Sequence, residues 1–117
     1  MSSLQQSIER RRATEPTLPS CAEVSEQPTL TISIWEGAHW VFPWAHFQRA
    51  SLRTSDVAED LELLFTHNKV LVIGNHLQGL LRHISLFRVA HLRNIPIQYR
   101  SSMVRNDPYI RVIEISQ

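Results

Sequence analysis

Six histidines are the residues of this chain best suited to acid–base or metal chemistry: His39, His46, His67, His76, His83 and His91. Their unperturbed pKa lies near neutrality, so small changes of environment switch their charge. The spacing, however, matches no metal motif. His76 and His83 are seven apart, about 10.5 Å of helical rise, too far for one ion whose ligand nitrogens sit about 2.0–2.1 Å from it. No H-x-x-x-H or H-E-x-x-H is present, and the lone cysteine, Cys21, offers no partner thiol. A metal centre or other cofactor is therefore not expected. Clustered histidines instead suggest pH-sensitive stability or assembly.

Carboxylates concentrate in Asp56, Glu59, Asp60 and Glu62. Paired acids can do general acid–base work or hold a hard cation. These four straddle a loop and a strand start without a calcium-loop pattern, and they read as a solvated cluster. Gly74 and Gly79 are followed by Leu-Leu where a phosphate-binding loop needs Lys-Ser/Thr. No serine occupies a nucleophile elbow. Nothing specific supports an enzyme, and a non-enzymatic protein is favoured.

Two other groups speak to binding. Arg82, Arg88, Arg93, Arg100, Arg105 and Arg111 fall in one window that holds Asp107 as its only acid before Glu114. If they share a side of the fold, they form a basic face for nucleic acid or another anionic ligand even though the formal net charge is only +1. Trp35, Trp40, Phe42 and Trp44 fall within ten residues. Such an aromatic strip is either core or a recognition surface, since tryptophan is enriched at binding hot spots.

The elements that must position these groups follow from periodicity. Leu30, Ile32 and Ile34 alternate with Thr31, Ser33 and Trp35, a strand; Glu36–His39 is a turn; Trp40–Phe42 returns as a second strand. A two- or four-residue loop sets Trp35 opposite Trp40, on a face shared with Thr31, Ser33 and Phe42. A three- or five-residue loop breaks that parity. One helical turn after Pro43 and a short strand near 50–53 come next. Leu61–Phe65 and Lys69–Gly74 form a hairpin with Leu61, Leu63, Phe65, Val70 and Val72 on one face. Asn75 then caps a helix over about 76–87, with Leu77, Leu80, Leu81 and Ile84 inward and Gly79 packed closely on a strand. Val89–Arg93 and Tyr109–Ile115 are further strands.

Residues 1–28 differ from the rest. They contain Pro16, Pro19 and Pro28 and no aromatic residue, so they can bury little apolar surface. They are expected to be a flexible, dispensable, disordered arm, with Glu9-Arg-Arg-Arg12 its only basic run. Residues 29–117 are expected to form one α+β domain: an antiparallel sheet of five to six short strands with one main helix. At 117 residues, with 43% hydrophobic and 20% charged residues, a single ordinary domain is the reasonable size class. No apolar run is long enough to cross a bilayer. The Met-Ser-Ser-Leu-Gln-Gln start lacks a secretion-type apolar segment, so a cytoplasmic protein is expected. One helix cannot cover two apolar sheet faces in so small a domain. The leading expectation is therefore an interaction module that pairs with another copy or a protein partner through Trp35, Trp40, Phe42 and Trp44. Anion or nucleic-acid binding by the arginines is the alternative.

Overall fold

The computed structural model describes residues 20–117. Eight strands form two four-stranded sheets, joined by one α-helix and two short 3-10 turns. The strands are β1 (Ala22–Val24), β2 (Thr29–Ser33), β3 (His39–Pro43), β4 (Phe47–Thr54), β5 (Glu59–Phe65), β6 (Lys69–Asn75), β7 (Val89–Arg93) and β8 (Tyr109–Ser116); α1 spans Gln78–Ser85. One sheet runs β1-β7-β2-β3 and the other β4-β5-β6-β8. The α+β class stands. The single antiparallel sheet of five to six strands is corrected to eight strands in two sheets, and β2 runs parallel to β7. We call the first the mixed sheet and the second the antiparallel sheet.

Part of the expected arm is built into the fold. β1 pairs with β7, Cys21 is fully buried, and the Ser25 N–H reaches the Arg88 carbonyl at 2.7 Å. The low apolar content of the segment misled, because what holds it is backbone pairing plus one thiol. Burial raises the Cys21 pKa, while the Ile110 N–H pointing at Sγ, at 3.3 Å, opposes the rise. Ordered structure thus starts before Thr29; residues 1–19 and the basic run at 9–12 lie outside the described residues.

The alternation over β5 and β6 holds as expected: Leu61, Leu63, Phe65, Val70 and Val72 are buried. They join Leu30, Ile32, Phe42 and Leu92 from the mixed sheet, Leu80 and Ile84 from the helix and Leu77 at its N-cap in one buried cluster. The outer face of the antiparallel sheet carries half-buried Leu71 and Ile73 beside Glu62, Asp60 and Glu114.

The helix is shorter than the expected 76–87. His76 and Phe87, at φ 59° and 54°, take left-handed backbone that no helix can continue, so they close it at both ends. Asn75 is not the cap. The Glu59 carboxylate accepts the Leu77 N–H at 3.2 Å, which places an acid at the helix start. Leu81 is only half-buried, and the inward row is Leu77, Leu80 and Ile84. Gly79 is not packed on a strand: a Cβ there would meet nothing within 4 Å. Gly74 is the glycine with a packing role. A Cβ on it would stand 1.8 Å from the Tyr109 carbonyl oxygen, at the point where the β6–β8 register shifts.

Candidate interaction surface

The aromatic hairpin takes the odd-loop alternative. Ser33 pairs with His39, leaving five residues, 34–38, in the loop, with Glu36 rather than Gly37 at positive φ (51°). Leu30 therefore lies opposite Phe42, Thr31 opposite Val41 and Ile32 opposite Trp40. Trp40 and Phe42 share the apolar face with Leu30 and Ile32, and Val41 shares the polar face with Thr31 and Ser33. The expected facing is overturned by one residue of loop length.

The four aromatic residues consequently separate. Phe42 and Trp44 are core side chains, each 6% exposed. Trp40 stacks on Phe42 with ring centroids 6.0 Å apart and stays 40% exposed. Trp35 leaves the hairpin row altogether and leans on Tyr99, centroids 5.4 Å apart, while its backbone N–H donates to Asn94 Oδ1 at 2.7 Å. From Trp40 the rings continue inward through Phe42, Phe65, Trp44 and Phe47 to Phe87, each within about 6 Å of the next. Both ends of this row, Trp40 and Phe87, reach solvent.

β3 is the outer strand of its sheet, bonded to β2 alone. The bonds at the two ends of the pairing, Ile34 N–H to Ala38 O and Trp44 N–H to Pro28 O, set the phase of the ladder. Alternation then turns the backbone groups of Trp40 and Phe42 toward β2 and those of His39, Val41 and Pro43 toward the free edge. Val41 is 61% exposed at the middle of that edge.

A polar row crosses the outer face of the mixed sheet, one that the sequence did not reveal because its members lie up to 70 residues apart. Arg93 Nη2 donates to His91 Nδ1 at 3.1 Å and to Glu23 Oε1 at 3.1 Å. A guanidinium can only donate, so the His91 proton sits on Nε2 and points at Ser33 Oγ, 2.7 Å away. The serine hydroxyl in turn donates to His39 Nδ1 at 2.8 Å. Burial first and then Arg93 lower the His91 pKa, with Glu23 opposing, so the ring is neutral at neutral pH. This direction of donation stops His91 from acting as a base toward Ser33. The next two N–H groups along the chain are taken, Ile34 by Ala38 O and Trp35 by Asn94, so no pair of free donors stands ready for an oxyanion. The row ties all four strands of the mixed sheet together and does not form a nucleophilic centre.

The remaining histidines and acids disperse. His46 and His67 are exposed. His76 and His83 line one cavity of about 430 Å³, where His83 Nδ1 is buried without a hydrogen-bond partner. Glu59 caps the helix, Glu62 pairs with Lys69 at 3.5 Å, and Asp56 lies in the exposed β4–β5 turn. Among the described residues no three His, Cys, Asp or Glu side chains converge as a metal site would require.

The six arginines do not act alike. Arg88 pairs with Glu26 at 3.3 Å and Arg93 with Glu23, so two are neutralised by the segment expected to be an arm. Arg82 and Arg111 are exposed on the helix and on β8. Arg100 and Arg105 line the same cavity of about 740 Å³. No described helix is long and apolar enough to cross a membrane. Comparison of the chain with protein-family models, curated proteins and solved structures gave no match.

Proposed function

We propose that this chain is a non-enzymatic interaction module that pairs with a second copy of itself through the free edge of β3. The observation that carries the reading is the edge itself: outward backbone groups on either side of the exposed Val41, beside a half-exposed tryptophan. Unpaired edges of this kind are templates for another strand. A two-fold antiparallel pairing centred on Val41 sets Val41 against its own copy, His39 against Pro43, and Trp40 against Phe42. It makes four N–H···O bonds: two between the Val41 residues and two from His39 to the Pro43 carbonyl. Pro43 has no N–H, so the pairing ends there. On the apolar face, the Trp40–Phe42 stack would meet its copy and bury rings that one protomer leaves exposed. The expected aromatic contact narrows accordingly: Trp40 and Val41 are the contact, Phe42 and Trp44 support it from the core, and Trp35 lies apart. A single cysteine with no disulfide partner is in keeping with a cytoplasmic setting.

The test is solution mass at tens of micromolar, a concentration that populates a micromolar dimer. The wild type should sediment as a dimer. Val41→Lys places a charge on an exposed edge position and should give a folded monomer, as should Trp40→Glu. A monomeric wild type, or a Val41→Lys chain that still sediments as a dimer, would overturn the proposal.

A further inference from the structure

Between two buried anchors the chain leaves the sheets to build a concavity. Ile95 is fully buried and its N–H donates to the Ile110 carbonyl at 2.9 Å; the Tyr109 hydroxyl returns to the Ile95 carbonyl at 2.9 Å. The intervening residues include a 3-10 turn, Ile97–Ser102, and the loop that follows it. They wall a cavity of about 740 Å³ against Tyr109 and His76. That volume is in the range that holds small organic ligands, about 300–1,000 Å³.

Two guanidinium groups belong to its lining. Arg100 is held with Cζ 4.7 Å from the centroid of the Tyr109 ring, a stacked cation–π contact that positions the planar fork at the wall. Arg105 lines the same space. Among the described residues neither has a carboxylate within ion-pair distance, in contrast to Arg88 and Arg93. Asp107 is the one acid of the lining and does not neutralise either arginine. Ser101 and Asn106 add neutral donors. At the rim stand Ile97 and Val104, 59% and 62% exposed, apolar side chains with no protein surface over them.

We propose that this cavity binds a small phosphate monoester with an apolar body. Two positive forks and neutral donors suit the three acceptor oxygens of a phosphate, and the exposed aliphatic rim suits the ester group. A nucleic-acid polymer fits less well. It needs a continuous basic track, and Arg88 and Arg93, which would extend one, are already paired with Glu26 and Glu23. The site is independent of the β3 edge.

Phenyl phosphate is the probe, titrated into the full chain at low salt and followed by amide chemical shifts. Saturable binding is expected, with shifts clustered at residues 97–109. An Arg100→Gln, Arg105→Gln double variant should bind at least about tenfold more weakly. Arg105→Gln alone, which spares the Tyr109 contact, should also weaken binding and serves if the double variant does not fold. Inorganic phosphate should bind more weakly than phenyl phosphate. No saturable shift, or equal affinity in the folded variants, would overturn the site; inorganic phosphate binding as tightly as the ester would overturn the apolar-body assignment; and a thymidine oligonucleotide binding more tightly than the ester, with the loss concentrated in Arg88 and Arg93 variants, would overturn the choice of a small molecule.

Discussion

The antiparallel sheet takes three of its four strands, β4, β5 and β6, in unbroken chain order, whereas the mixed sheet joins β1, β2 and β3, near the start of the described chain, to β7, some 60 residues after β2. Both feed the same core. They differ in what holds them in register. In β5 and β6 a tight turn and the alternate burial of Leu61, Leu63, Phe65, Val70 and Val72 specify the pairing locally. In the mixed sheet the contacts that register β7 are long-range and polar: Arg93 to Glu23 and Ser20, and His91 to Ser33. The local pairings, β4 to β6 and the β2–β3 hairpin, therefore announce themselves in sequence, and the pairings of β7 with β1 and β2 do not. The mixed sheet also ends in β3, whose free edge is the proposed self-pairing surface.

The sharpest way to break this comparison is to remove the distant segment. A chain beginning at Gln27 lacks Cys21, the β1 pairing and the partners of Arg88 and Arg93. It should lose on the order of 5 kcal/mol, a large share of a small domain's stability, in urea denaturation. A melting temperature within a few degrees of the full chain would show that β1 is an accessory and that the mixed sheet stands without it.

The common core is tested next. Leu80→Ala, at a position 1% exposed, should cost about 2–5 kcal/mol. Leu81→Ala, at a half-buried neighbour, should cost clearly less. Equal losses would mean that the helix is rotated from the phase described. On the antiparallel side, Gly74→Ala drives a Cβ into the Tyr109 carbonyl and should cost on the order of 3 kcal/mol, because backbone must move. Gly79→Ala, with open space around it, should instead stabilise by about 0.5–1 kcal/mol through helix propensity. Opposite signs at the two glycines are the expected signature, read by denaturation midpoints at constant slope.

The smallest effect expected is that of pH on the polar row. The folded-state pKa of His91 is lowered from the usual 6.5, so the unfolded chain binds its proton first. The contribution of neutral His91 is present above that value. It is lost as pH falls from about 6.5 toward the lowered folded value, and no further below it. Stability compared at about pH 7.5 and pH 5.5 should fall less for His91→Gln than for the wild type. Identical losses in the two chains would assign the pH response elsewhere.

What the sequence determined by itself was everything with a short period. Leu61, Leu63, Phe65, Val70 and Val72 alternate at two and could only line one face of a hairpin. Leu77, Leu80 and Ile84 repeat at three and four and could only be one helical face. The helical turn followed by a strand after Pro43, and the strands at 89–93 and 109–116, were legible for the same reason. Tertiary structure decided the rest. One residue of loop length, 34–38, put Trp40 and Phe42 on the apolar face, and alternation alone cannot measure a loop. The place of Cys21 and β1 depended on finding β7, a partner that leaves no local pattern. Two of six equivalent-looking arginines met in one cavity, while two others were matched to Glu23 and Glu26. Charges reveal their partners only when the chain has folded back on itself, because Coulomb attraction depends on distance in space and is indifferent to distance along the chain.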